Sequence, residues 1–124
     1  MLWGKVISYW RTIGAGAVIA YLSLGRSVQT ALPLFAGADK IVHCLMYMLL
    51  AATFIKDTAS NAMSSAYRAI LAIVLVSLYG GGMELLQQYY FPPRTGEWAD
   101  WIADMIGGGI VAGIYLMMRH KHAE

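Results

Sequence analysis

Four long apolar runs, separated by short polar stretches, set the hydropathy pattern of this 124-residue chain. A membrane-crossing helix needs roughly 20 mostly apolar residues. Four stretches come close to that length, at about 6–24, 39–55, 66–86 and 99–118. They use up most of the chain. The connectors are too small for a soluble domain, and no internal repeat or low-complexity tract is evident. The expected fold class is all-α, a compact integral membrane bundle of four transmembrane helices, with residues 1–124 as one domain. The third run is predicted to stop at "FPPR", because Pro92 and Pro93 cannot continue a helix and bias the residue before each away from it.

Composition strengthens the membrane expectation. Hydrophobic residues make up 59% of the chain and charged residues 13%, against roughly 45–50% apolar in ordinary soluble domains. The lone Cys44 falls within an expected span and cannot form an intramolecular disulfide. Lys5 and Arg11 ahead of an apolar run also fit the layout of a signal peptide. The 6–24 run is nonetheless long enough to span if Arg11 snorkels.

Charge then orients the bundle. In a four-span hairpin arrangement the N-terminus, the connector between the second and third spans and the C-terminus share one side. That side holds Lys5, Arg11, Lys56, Arg68, Arg119 and Lys121, against Arg26, Lys40 and Arg94 on the other. The positive-inside rule predicts a multi-pass cell-membrane protein with both termini cytoplasmic. The second span starts, the third ends and the fourth starts at the opposite, external face. Asp39, Glu84, Glu97, Asp100 and Asp104, five of the seven acids, gather there with Lys40, His43 and Arg94.

Helical spacing sorts these residues into stripes. Asp39, His43 and Tyr47 are four apart, and Lys40 lies three before His43. Gly80, Glu84, Gln87 and Gln88 fall on one side of the third span; Asp100, Asp104, Gly107 and Val111 line the fourth. Ionisable groups at membrane depth face a bundle interior or water, so the three stripes are expected to point inward together. Ion pairs of Lys40 or Arg94 with Asp100 or Glu84 would also serve helix packing, Asp39 suits a helix N-cap, and Glu97 suits a first turn. Joining three helix ends by apolar packing would be cheaper, however, which favours a functional site for the set as a whole.

Here the residues resemble the VanZ-like membrane proteins. "DKIVHCLMY" fits that family's D-K-x-x-H-x-x-x-Y opening, "GGGMELLQ" its G-x-x-x-E-x-x-Q segment, and "PR....WADWIADMIGG" its Arg and D-x-x-x-N-x-x-G close. The likeness runs from Asp39 to about Gly113 in three ordered motifs. It highlights Asp39, Lys40, His43, Tyr47, Glu84, Gln87, Arg94, Asp100 and Gly107. Asp104 departs from it, standing where the family usually has Asn and adding a negative charge. The resemblance implies a small membrane protein associated with reduced susceptibility to teicoplanin-type lipoglycopeptides, and it names no reaction.

Several chemistries stay open. Carboxylates and a histidine from three helices suit a hard or borderline divalent cation, but no compact metal motif accompanies them, so metal and cofactor are unassigned. A hydrolase or transferase acting on a lipid head group would use Asp39, His43, Glu84 or Asp100 for proton transfer, with Lys40, Tyr47, Gln87, Arg94 and Asp104 binding the ligand. No nucleophile elbow, phosphate-binding Gly loop or zinc-protease helix is present in the sequence. A binding protein for a cell-envelope lipid or lipoglycopeptide therefore competes with a membrane enzyme. A transporter is weaker, because the charges gather at one face instead of forming a relay. The expected partners are membrane lipids and a lipid-linked or lipoglycopeptide ligand, with no nucleic acid and a homo-oligomer left open. Gly109-x-x-x-Gly113 is expected to pack helices within the bundle. Trp98, Trp101, Tyr89, Tyr90 and Phe91 suit an interfacial belt that can also flank a ligand entrance.

Overall fold

The structure, a computed structural model, describes residues 2–24, 38–90 and 98–123. Within them the fold is all-helical: α1 (Leu2–Ile7), α2 (Trp10–Leu24), α3 (Ala38–Asp57), α4 (Ser65–Tyr90) and α5 (Trp98–Ala123). Helix occupies all four apolar runs, and α4 is described as far as Tyr90; "FPPR" and the helix end expected there lie outside the described residues. Among the described residues two helical segments, Ser65–Leu86 and Trp98–His120, are long and apolar enough to cross a membrane, with mean hydropathies of 2.0 and 1.6. The N-terminal run differs from expectation because it is broken. Ser8 Oγ donates to the Lys5 carbonyl at 2.6 Å and Tyr9 N to the Val6 carbonyl at 3.1 Å, which tightens the chain into a turn between α1 and α2. The remaining 15 residues of α2 rise about 22 Å, short of the roughly 30 Å hydrocarbon layer.

α5 packs along both α3 and α4, and α2 covers the α3–α4 seam. Ala15 and Ile19 of α2 meet Tyr47, Leu50 and Ala51 of α3 and Ala72 and Val76 of α4 in the apolar core. Close approach is set by glycine. A Cβ on Gly107 would collide with the Cys44 carbonyl, and one on Gly108 would lie 3.0 Å from Val76. The Gly109-x-x-x-Gly113 pair does not do this job, since a Cβ at either position would meet nothing within 4 Å. Helical phase explains the correction: Gly107 and Gly108 lie three and four residues beyond the buried Asp104, on its face, whereas Gly109 and Gly113 do not.

The distribution of polarity is the reverse of a soluble bundle's. Asp57, Thr58, Arg68, Glu84, Asp100 and Asp104 are buried, while Ile102, Ile106, Ile110 and Ile114 form an exposed row along α5. An apolar surface of that extent marks a face meant for something other than water.

Two polar staples close the end of the bundle at the α3–α4 connector. Asp57 accepts from Arg11 Nη1 at 3.0 Å and from the Thr12 amide and hydroxyl at 2.9 and 2.8 Å, so it satisfies an open donor in the first turn of α2. Burial alone would raise the Asp57 carboxyl; the hydrogen bonds from Thr12 and Arg11 outweigh it and hold the group below the usual carboxylate range. Arg68, 5% exposed, donates to the Thr58 and Asn61 carbonyls and to the Thr58 and Tyr115 hydroxyls, joining the connector to α4 and α5.

Candidate functional site

At the other end of the same helices, α3 carries His43 and Tyr47 on one face, α4 carries Gly80 and Glu84, and α5 carries Asp100, Asp104 and Gly107. The i, i+4 spacing on each helix delivers these residues to the bundle interior. The close α3–α5 contact at Gly107 draws His43 against α5. Its Nδ1 lies 3.1 Å from Asp104 Oδ1, and its Nε2 lies 3.8 Å from Asp100 Oδ2. The ring is therefore flanked by two carboxylates one helical turn apart. Gly80 supplies the room for this arrangement, because a Cβ there would sit 2.7 Å from Asp104 Oδ2.

Glu84 comes in from α4. One ligand atom from each of His43, Glu84 and Asp104 lies within 4.8 Å of the others, and the two acids are 8% and 0% exposed. One turn deeper, the Tyr47 side chain is fully buried and its hydroxyl has no hydrogen-bond partner among the described residues; the same holds for Asp104 Oδ2. The carboxylates of Asp104 and Glu84 both act electrostatically on that phenol. The Tyr47 ring packs 6.2 Å, centroid to centroid, from Tyr79, whose hydroxyl donates to the Gly16 carbonyl and ties the site to α2.

Beside the cluster, α4 and α5 border a half-open cavity of about 430 Å³ whose lining includes Leu78, Gly82, Leu85, Trp98 and Trp101, with Glu84 in its wall. Trp101 is held in place by its indole, which donates to the Ser77 carbonyl at 2.9 Å, and Trp98 packs against it with tilted rings, 5.2 Å between centroids. The two tryptophans thus flank a slot as well as suiting an interfacial belt. Tyr89 is exposed on the outside of α4.

The structure thus brings together His43, Tyr47, Glu84, Asp100 and Asp104 from the residues expected at the site. Gln88 is exposed and lines the cavity next to Glu84. Asp39 and Lys40 lie in the first turns of α3 and Gln87 in α4, but their side chains are outside the described residues, as are Arg94, Glu97 and Phe91 altogether. Sequence reasoning overlooked the cavity, whose small-residue wall at Ser77, Gly81 and Gly82 has no distinctive spacing. It also took Arg11 and Arg68 into the charge count without partners and gave Asp57 no role. Their partners Thr12, Thr58 and Tyr115 carry no local signal.

Chemically, the arrangement offers a histidine oriented by a buried carboxylate, further carboxylates from two helices, and a largely apolar slot with one of them, Glu84, in its wall. Such a site can bind an amphiphile with its polar end at the cluster, hold a cation, or move a proton. Searches of protein-family models, of curated proteins and of solved structures returned no match for this chain.

Proposed function

We propose that this chain is a four-span VanZ-like membrane protein that binds a cell-envelope lipid or a lipoglycopeptide at its polar site and lowers susceptibility to teicoplanin-type antibiotics. One observation carries the reading: Glu84 belongs at once to the polar cluster and to the wall of the apolar cavity. A contiguous polar and apolar site matches the two ends of an amphiphile, and its volume lies in the ordinary range for small-ligand pockets. Buried acids beneath an isoleucine-faced surface support the bilayer as the solvent.

A blocked cavity tests this. A Cβ at Gly82 meets nothing within 4 Å, so Gly82→Leu will project into the slot without disturbing helix packing, and Leu is the better helix former. Native mass spectrometry is expected to find a lipid retained by the wild type and lost from Gly82→Leu, with resistance lost in parallel. Equal lipid retention by both proteins would overturn the reading. The His43–Asp104 pair favours a second reading, an enzyme acting on a lipid head group, because a base held by a carboxylate is the arrangement proton transfer uses. A modified lipid that accumulates only in cells with the wild type would select it.

Orientation is tested separately. Reporters inserted after Ala62 and fused after Glu124 are expected to read as cytoplasmic, and one near Phe35 as external. A C-terminal reporter on the external side would put the polar site on the cytoplasmic face.

A further inference from the structure

We infer that His43, Glu84 and Asp104 form a binding site for one divalent transition-metal cation, with the Tyr47 hydroxyl hydrogen-bonded to a water on that ion. The inference rests on reading the three-helix cluster as the functional centre. It does not depend on which amphiphile the cavity takes.

The donors come from three different helices and already lie within 4.8 Å of one another. Around an ion with bonds of about 2.1 Å, neighbouring ligand atoms stand roughly 3–3.5 Å apart. His43 Nδ1 and Asp104 Oδ1, at 3.1 Å, already meet that spacing, and a rotamer adjustment of Glu84, the longer acid, closes the remainder. With Nδ1 toward the ion, Nε2 faces Asp100 at 3.8 Å. A carboxylate behind a metal-bound imidazole is the usual device for orienting the ring and raising its basicity.

Burial supplies the independent reason to expect an occupant. Buried polar atoms in folded proteins are nearly always satisfied. Yet the Tyr47 hydroxyl, on a side chain with no exposure and within the field of the Asp104 and Glu84 carboxylates, has no hydrogen-bond partner among the described residues. A metal-bound water gives it one. Imidazole nitrogen together with carboxylate oxygen selects borderline ions such as Zn²⁺ or Mn²⁺ over soft Cu(I), which prefers thiolate and thioether. Cys44, next to His43, is half-buried and contributes no atom to the group. Three protein donors leave positions on the ion for water or for an anionic oxygen of a molecule in the cavity.

The test is metal content and affinity of the full chain, purified in detergent after stripping. His120 and His122 are replaced by Ala throughout, so that the C-terminal "HKH" does not bind metal by itself. Equilibration with Zn²⁺ and with Mn²⁺ in separate experiments is expected to give one equivalent of at least one ion. Asp104→Asn keeps the shape of the side chain and His43→Gln keeps a hydrogen-bonding group. Each is expected to weaken binding about 100-fold or more, and Asp100→Asn about 10-fold. Gel filtration and thermal unfolding check that each variant is folded; where Asp104→Asn is not, Glu84→Gln takes its place with the same expected loss. Less than about one-fifth of an equivalent of either ion, or binding unchanged in His43→Gln, overturns the site. Lipid retention measured on the same stripped protein separates this failure from failure of the amphiphile reading: lipid held without metal refutes only the cation, and metal held without lipid refutes only the amphiphile.

Discussion

Arg68→Ala is expected to lower the stability of the protein by about 3–5 kcal/mol, because it strips charge-assisted hydrogen bonds from the buried Thr58 and, at the same time, from Asn61 and Tyr115 in part-buried contacts. The guanidinium reaches the Thr58 carbonyl at 2.8 Å, the Asn61 carbonyl at 2.9 Å and the Tyr115 hydroxyl at 2.8 Å, and it sits in a pocket that leaves it 5% exposed. The Thr58 carbonyl and hydroxyl, on a residue 1% exposed, do not gain water easily once the side chain is gone. Arg68→Met retains most of the stem and removes only the donors, so it is expected to avoid the packing share of the loss and show the hydrogen-bond share alone. Arg119 provides the contrast. It is exposed and meets Ser65 Oγ at 3.3 Å, and Arg119→Ala is expected to change stability by no more than about 0.5 kcal/mol. Thermal unfolding in one detergent checks all three, and equal shifts for Arg68→Ala and Arg119→Ala would show that the network contributes nothing.

That network shows what a charge count leaves out. Arg11 and Arg68 were legible as members of a basic end. In the structure Arg11 and Asp57 fasten α2 to α3, and Arg68 fastens the α3–α4 connector to α4 and α5. Their partners are hydroxyls and backbone carbonyls, which any helix offers, so nothing in the sequence marks them out. The helices themselves were readable because an apolar run of about 20 residues has few alternatives. The break at Ser8–Tyr9 was not readable, since it depends on one hydroxyl folding back onto a carbonyl.

The site was more legible than the packing around it. Ionisable residues in an apolar run must share a face, and the period of 3.6 was enough to align His43 with Tyr47 and Asp100 with Asp104 and Gly107. The same period would have corrected the glycines. If Asp104 faces inward, so do residues three and four beyond it, which are Gly107 and Gly108, and these are the positions pressed against α3 and α4. A motif read by its letters pointed to Gly109 and Gly113; one read by its phase would not have. Asp104 is central to the cluster, for it is the carboxylate in contact with His43 and the one that needs Gly80 opposite.

His43→Gln is expected to abolish function while leaving the fold in place. Glutamine can donate one hydrogen bond to the Asp104 carboxylate, so the expected stability change is within about 1 kcal/mol. It cannot take up a proton near neutral pH, nor offer an imidazole nitrogen to a cation. If His43 moves a proton, the loss is on the order of 10²–10⁴-fold in turnover; if it only helps bind the ligand, the loss appears in affinity. Glu84→Gln is expected to behave in the same way, because its carboxylate meets both the cluster and the cavity. Residues that act as one unit fail together, so the His43→Gln, Glu84→Gln double variant is expected to be no worse than either single one, in clear violation of additivity. The measurements are teicoplanin susceptibility of cells carrying each variant, membrane level of the protein, and its unfolding temperature. Resistance retained in full by His43→Gln would reduce that histidine to a packing residue. Protein missing from the membrane in every variant would instead show that the cluster holds the helices together and does nothing further.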